Sequence, residues 1–292
     1  MNARPSRLLS VLQLCRIGTW FSPAADVLAG AAITGVAFGG DVGRAMLASV
    51  LVYGAGMVTN DVADHELDRE QRPERPLPSG RLSLAFAATL GAALFAAAIA
   101  VSPCRAHHAL IAALVLVYDF LGKRVEWLGA LNMGALRALN LGTGLALARA
   151  AGDVDPLAQR ALLLAALCYG VYIVAVTVLG IFEDTPSVRG RAVATVQAAP
   201  PIVGFAGVAV VQAGWWPATA LAAVPAVWFL RRNARTRDWS QAEIRRSMMY
   251  LLLGTMLYTS LLTLAAGRPV EAAAIAASIP VARAIARRIA LT

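Results

Sequence analysis

The sequence predicts an all-α fold, a polytopic membrane protein with about nine transmembrane helices around a central cavity. Two observations carry that prediction. Of 292 residues, 59% are hydrophobic and only 15% charged, whereas a soluble domain carries about 25% charged residues. The apolar residues also fall in repeated runs of membrane-crossing length, about 20 residues each.

The runs place spans at 11–38, 43–60, 83–102, 107–122, 128–148, 157–181, 193–213, 215–231 and 248–266. Asp155-Pro156 reads as an N-cap followed by proline at the first helical position, and Ser102-Pro103 and Trp216-Pro217 punctuate turns. Trp127 and the Trp215-Trp216 pair suit the aromatic belt at a membrane interface. The basic stretch Met1–Arg16 precedes an apolar run too long for a signal peptide, so that run reads as the first membrane helix. Segment 271–289 is short and Arg-rich, which suits an amphipathic surface tail on a single domain covering residues 1–292.

The net charge is +9, and 25 of the 26 basic residues are arginine. They lie in short loops between apolar runs, with no basic stripe on a soluble face, which argues against nucleic acid as a partner. Loops of this kind fit anionic lipid headgroups or a diphosphate. With the N-terminus cytoplasmic and the tail external, 17 basic residues fall on the cytoplasmic side and eight on the other, the asymmetry the positive-inside rule describes. That orientation puts the loops after spans two, four and six on one side. Cys15, Cys104 and Cys168 are scattered without ligand spacing and read as packed thiols.

The most informative stretch is Asn60-Asp61-Val62-Ala63-Asp64-His65-Glu66-Leu67-Asp68, which continues through Arg72-Pro73 and Arg75 to Gly80. Asp61, Asp64 and Asp68 are spaced i, i+3, i+7, so one helical face carries all three. Adjacent carboxylates repel one another unless a cation lies between them. Mg2+ suits the position, because it prefers carboxylate oxygens and bridges to phosphate. Arg72 and Arg75 follow within reach, and the guanidinium fork matches a pair of diphosphate oxygens. The competing reading is a solvated loop of surface ion pairs.

Three further segments carry polar groups. Span four ends in Tyr118-Asp119-Phe120-Leu121-Gly122-Lys123-Arg124, where Lys123 is the single lysine of the chain. Positive-inside anchoring explains Lys123 and Arg124 as well as a phosphate role does. Span five holds Asn132, Arg137 and Asn140 in apolar surroundings, with the two asparagines read as sharing a face. An arginine within a span is unfavourable by at least about 2.5 kcal/mol. Arg137 should therefore face a polar cavity or pair with Asp26 or Asp119, and a purely structural ion pair is the alternative. After span six, Glu183 and Asp184 are adjacent and so point about 100° apart on a helix; Ser187 and Val188 stand where a carboxylate four residues on would fall.

Asn60-Asp61-x-x-Asp64-x-x-x-Asp68 with Arg72-Pro73 and Gly80 resembles the first aspartate-rich motif of UbiA-like intramembrane prenyltransferases. The Tyr118…Lys123-Arg124 segment resembles the one that supplies diphosphate-binding cations in that family. Arg16 resembles an arginine ahead of the first cavity-lining residues, although this chain has Arg16-Ile17-Gly18-Thr19 where relatives usually have Arg-Pro-x-Asn. The family's second motif is usually Asp-x-x-x-Asp, and Glu183-Asp184 departs from it. That shortened motif, with Asn132-Met133-Gly134…Arg137…Asn140, resembles an EboC-like subgroup.

The resemblance implies nine helices around a cavity in a bacterial cytoplasmic membrane, with the N-terminus and active-site loops cytoplasmic. It implies Mg2+-dependent transfer of an isoprenyl group from a prenyl diphosphate to a small aromatic or lipid-like acceptor. The metal ligands would be Asp61, Asp64, Asp68 and Glu183, with Asp184 as a further acidic group. Arg16, Asn60, Arg72, Tyr118, Lys123, Asn132, Arg137 and Asn140 would bind substrate. The alternative is a non-catalytic carrier of an isoprenoid or lipid-like precursor, which the altered second motif favours. A phosphatidyl-alcohol transferase requires Asp-x-x-Asp-Gly-x-x-Ala-Arg, which residues 61–80 do not supply. The walls of the cavity read as small and aliphatic throughout, so no single residue marks its floor.

Overall fold

The computed structural model describes residues 6–122, 125–184, 190–211, 216–236 and 239–289, without the side chain of Asp184. Among them every regular element is helical. Lys123 and Arg124, Ser187 to Arg189, and Trp215 lie outside the described residues.

The first expected span is broken in two. Helix α1 (Arg7–Leu14) is followed by a 3-10 turn (Ile17–Thr19) and then α2 (Phe21–Ile33). The break falls at Arg16, the single non-glycine residue with positive φ among the described residues (φ 48°, ψ 48°). The turn is held by Thr19 Oγ1 donating to the Arg16 carbonyl at 2.7 Å and Trp20 Nε1 donating to the Cys15 carbonyl at 2.9 Å.

The remaining expected spans each coincide with one helix: α3 (Gly40–Ala63), α5 (Leu84–Val101), α6 (Arg105–Phe120), α7 (Glu126–Ala151), α8 (Pro156–Asp184), α9 (Arg191–Val211), α10 (Trp216–Arg235) and α11 (Gln241–Ala265). Asp155 does cap α8, its carboxylate accepting from the amides of Leu157 and Ala158 at 3.0 and 3.2 Å. A short helix, α4 (His65–Gln71), continues α3 after a kink at Asp64.

Length and composition do not reproduce the count of nine. Among the described residues six helices are long and apolar enough to cross a membrane: α3, α5, α8, α9, α11 and α12 (Pro269–Ile289). Helix α6 has only 16 residues, α7 carries Arg137 and the two asparagines, and α10 ends in a cluster of arginines.

Segment 271–289, read from sequence as short, belongs to this 21-residue α12. It runs the height of the bundle. At one end Arg268, just before it, reaches the Gly35 carbonyl after α2 (3.4 Å). At the other end Ala286 lies so close to the 3-10 turn that a Cβ on Gly18 would stand 2.7 Å from the Ala286 Cα.

Neighbouring helices close a ring: α2 packs on α3, α7, α11 and α12, and successive pairs from α6 to α12 pack in order. The tightest seam joins α2 and α7. A Cβ on Gly30 would fall 2.0 Å from the Leu141 carbonyl oxygen, and one on Gly144 would fall 2.1 Å from Gly30 backbone atoms. Small residues at such crossings let backbones touch, the main source of helix association where lipid is as apolar as the side chains.

Gly144→Val is expected to lower stability in detergent by at least about 2 kcal/mol through overpacking. Gly142→Ala, with nothing within 4 Å of the added Cβ, should leave the thermal midpoint within about a degree of the parent.

Candidate active site

The acidic stretch forms a pocket mouth because the chain beyond it folds back. Leu77 and Leu82 are buried against Leu14, Cys15, Val58 and Ala87, which draws the proline-rich segment over the end of α3. Gly80, at φ 71°, turns that segment. Arg81 fastens it to α1 by donating to Gln13 Oε1 at 2.9 Å and to the Glu74 carbonyl at 2.6 Å. The return places Arg75 between two carboxylates, its Nη1 lying 2.7 Å from Asp68 Oδ2 and 3.4 Å from Asp61 Oδ1.

Both carboxylates are buried, Asp61 4% and Asp68 1% exposed. The shared contact with one Arg75 nitrogen shows that the two lie on the same side of the segment. From the other side Arg16 donates to Asp61 Oδ1 at 3.0 Å. The exposed Arg72 stands 3.6 Å from Asp68 Oδ1. The left-handed backbone of Arg16, a conformation unfavourable by about 1 kcal/mol or more for a non-glycine residue, is what turns this guanidinium toward Asp61.

Asp64 differs from its two neighbours. It occupies the break between α3 and α4, half-buried, and lies within electrostatic reach of Tyr118. Among the described residues no three carboxylate, imidazole or thiol groups stand close enough to hold a metal ion.

Arg16 joins two cavities. The outer one, of about 250 Å³, is bounded by Arg16, Asp61, Arg75, Gln13 and the end of α12. The inner one, of about 210 Å³, is lined by Arg16, Asn60, Tyr118, Asp119, Arg137 and Asn140, with Val52, Met57, Val115 and Leu136 among its apolar walls. Five expected substrate-binding residues thus meet in one space: Arg16, Asn60, Tyr118, Arg137 and Asn140. Asp119 accepts from Thr59 Oγ1 at 2.5 Å and from Asn60 Nδ2 at 3.3 Å, fixing the neck between the cavities.

At the far end, Arg137 pairs with Asp26 and not with Asp119. Its Nη2 lies 3.1 Å from Asp26 Oδ1 and 2.6 Å from Ser22 Oγ, and also donates to the Tyr169 hydroxyl. Tyr169 donates to Asp26 Oδ1 at 3.0 Å, and Asn140 Nδ2 donates to Asp26 Oδ2 at 2.9 Å. Ser49 donates to Asn140 Oδ1. Asp26 is fully buried, so the carboxylate is held by charge and by every available donor around it, as a bilayer interior requires. Asp26 was among the expected partners of Arg137, whereas Ser22, four residues before it on α2, and Tyr169 are members that spacing within span five did not reveal.

Other expected residues fall elsewhere. Asn132 donates to the Leu114 carbonyl at 3.3 Å and lines neither cavity. Eight helical steps leave it about 80° from Asn140, which is why the two do not share a face. Glu183 accepts from Arg245 Nε and Nη2 at 2.9 and 2.6 Å and lines neither cavity. Lys123 and the Asp184 side chain lie outside the described residues.

Fold and site together define a polytopic helical membrane protein with an ionic mouth above an intramembrane cavity. The sequence profile of the UbiA prenyltransferase family matches residues 23–254, and the chain belongs to that family. It is 34% identical over 159 residues to a digeranylgeranylglyceryl phosphate synthase of Methanoculleus marisnigri, covering 53% of this chain and 54% of that one. It is 33% identical over 142 residues to the bacteriochlorophyll synthase 34 kDa chain of Chloroflexus aurantiacus, covering 44% and 46%. The matched stretch thus spans about half the length of these curated relatives.

Among solved structures, one concerning digeranylgeranylglyceryl phosphate synthase in membranes superposes with a TM-score of 0.64 at 18% identity, covering 94% of this chain and 99% of that one. A UbiA homologue from Archaeoglobus fulgidus bound to DMAPP and Mg2+ superposes at 0.55 with 13% identity, covering 86% and 99%. At these identities the likeness is one of fold.

Replacing Arg75 with methionine should expose the repulsion between Asp61 and Asp68. Removing one partner of a buried ion pair is destabilising by about 3 kcal/mol. Arg75→Met is therefore expected to lower the unfolding midpoint in detergent, and millimolar Mg2+ should restore part of the loss. An unchanged midpoint would mean that the two carboxylates do not depend on this guanidinium.

Proposed function

We propose that this protein transfers a prenyl group from a prenyl diphosphate to a small acceptor within the membrane, with Mg2+ at the mouth of the cavity. The observation that carries the reading is the pair of buried carboxylates, Asp61 and Asp68, converging on one cation beside Arg16. Mg2+ is commonly held by one or two carboxylates together with substrate phosphates, so this donor pair fits it. When bound, it would supply positive charge to the departing diphosphate.

The chain's own groups do the rest. Arg16 and Arg75, freed from the carboxylates, take phosphate oxygens through their guanidinium forks, and Arg72 adds charge beside Asp68. Asn60 and Tyr118 at the neck position the allylic end. The apolar walls formed by Val52, Met57, Val115 and Leu136 exclude water, so that a cation-like allylic carbon meets the acceptor and not solvent.

The relatives' names support a prenyl donor, and the DMAPP and Mg2+ bound to the Archaeoglobus homologue support the metal. The mouth is cytoplasmic in this reading. Helix α12 ends beside it, so Arg283, Arg287 and Arg288 move to that side and raise its basic residues from 17 to 20, leaving five opposite.

The carrier reading draws on Glu183, which is engaged by Arg245 rather than by the donor site. Release of diphosphate separates the two. Purified protein with Mg2+ and labelled prenyl diphosphates should release diphosphate. Asp61→Asn and Asp68→Asn are expected to reduce that release by about a hundredfold or more, and Asp64→Ala by about tenfold, as for a group beside the metal. Binding of the diphosphate without its release would favour the carrier, and binding unaffected by either asparagine variant would remove the assigned site.

A further inference from the structure

A third cavity lies apart from the two at the site. It is a crevice of about 330 Å³ between α9, α10, α11 and α12, open to the outer surface of the bundle. Among the described residues it shares no lining side chain with the outer or the inner cavity. Proline in a helix interior removes a ladder hydrogen bond and presses on the preceding turn. All three interior prolines of α9 and α10, Pro200, Pro201 and Pro225, line this crevice.

Its inner wall is fixed. Tyr172 donates its hydroxyl to the Leu251 carbonyl at 2.6 Å, and Tyr258 donates to the Ala165 carbonyl at 3.2 Å. The two rings stack 6.0 Å apart at 16°. Their polar ends are thus taken by backbone, and both rings line the crevice. Gly204 leaves them uncovered, since a Cβ there would stand 3.6 Å from each ring, an ordinary contact distance.

The lip is different. Trp228 and Tyr250 meet edge to face 5.5 Å apart, and both are exposed. Arg283 is the one charged residue among the described lining, is exposed, and makes no hydrogen bond or ion pair among the described residues. Helices α11 and α12 pack together across a short turn and run antiparallel. Tyr250, fifteen residues before Ala265, and Arg283, fourteen after Pro269, therefore stand at one level.

From Tyr250 to Leu261 the crevice follows α11 for eleven residues, a rise of about 16 Å. That is half of a hydrocarbon core about 30 Å thick. Spread over this length, the volume gives a mean cross-section of about 20 Å², room for one hydrocarbon chain and far less than the about 80 Å² of a helix about 10 Å across.

We propose that this crevice binds an anionic phospholipid from the leaflet at the mouth end of the bundle. One acyl chain lies against Tyr172 and Tyr258, the second stays in the bilayer, and Arg283 holds the headgroup phosphate. A guanidinium fork beside aromatic residues at the membrane interface suits a phosphodiester, and a net negative headgroup is drawn to it. The site does not depend on the donor reading. Tyr169, whose ring lies 5.3 Å from Tyr258 and whose hydroxyl meets Arg137, stands between the crevice and the inner cavity.

The test uses the full chain in detergent, with dioleoyl phosphatidylglycerol or dioleoyl phosphatidylcholine added, and counts retained lipid by native mass spectrometry across a titration. One phosphatidylglycerol per chain should be retained at least about tenfold more tightly than phosphatidylcholine, the difference a charge-assisted hydrogen bond makes. Arg283→Gln should abolish that preference, whereas Arg160→Gln, another exposed arginine, should keep it. Gly204→Leu, which fills the crevice from its wall, should lose the retained lipid of either kind. Asp61→Asn/Asp68→Asn should retain it, which separates this site from the mouth.

Equal retention of the two lipids by the unmodified protein would overturn the proposal. So would a preference that survives Arg283→Gln, an unchanged lipid count in folded Gly204→Leu, or loss of the lipid in the double aspartate variant. A lipid-free dimer that Gly204→Leu dissociates would assign the crevice to a second copy of the chain instead.

Discussion

A single nitrogen of Arg75 stands between the carboxylates of Asp61 and Asp68, and the mouth of the site is arranged around that contact. Two buried anions at the end of a membrane helix repel each other and lack water, so a cation has to sit between them. The folded-back proline-rich segment, the Arg81 tether to α1 and the left-handed Arg16 all deliver positive charge to that point. The Arg75 guanidinium fills a place whose chemistry is equally that of a divalent ion.

The second constraint acts deeper. Asp26 is fully buried in the interior of the bundle and persists because Arg137, Tyr169 and Asn140 all bond to it. One ionic cluster bounds the outer cavity, and the other lines the inner one through Arg137 and Asn140. The close backbone contacts of Gly30 with Gly144 and of Gly18 with α12 hold the helices that carry these clusters at fixed separation.

Much of this was legible in the sequence, for physical reasons that also mark where legibility stopped. Apolar runs located eight helices to within a few residues at most ends, because membrane-crossing length is a strong constraint. The Asp61/Asp68 pairing followed from helical spacing, and the intramembrane Arg137 announced a partner by its unfavourable position. The break at Arg16 was not visible, since it depends on a backbone torsion fixed by Trp20, Thr19 and the approach of α12. Asn132 falls outside both cavities because a shared face with Asn140 was stretched to about 80°. Glu183 could not be placed from its own loop, because its partner Arg245 lies 62 residues away on α11.

The central claim is that Asp61 and Asp68 exchange a guanidinium for a divalent ion when a diphosphate arrives. Electron paramagnetic resonance of Mn2+ in place of Mg2+ tests it directly, with the protein in detergent and a non-hydrolysable prenyl diphosphate analogue. The account predicts about one tightly bound Mn2+ per chain, formed only with the analogue, coupled to phosphorus and lost in the Asp61→Asn/Asp68→Asn double variant. A phosphorus-coupled signal that survives in the double variant would contradict it.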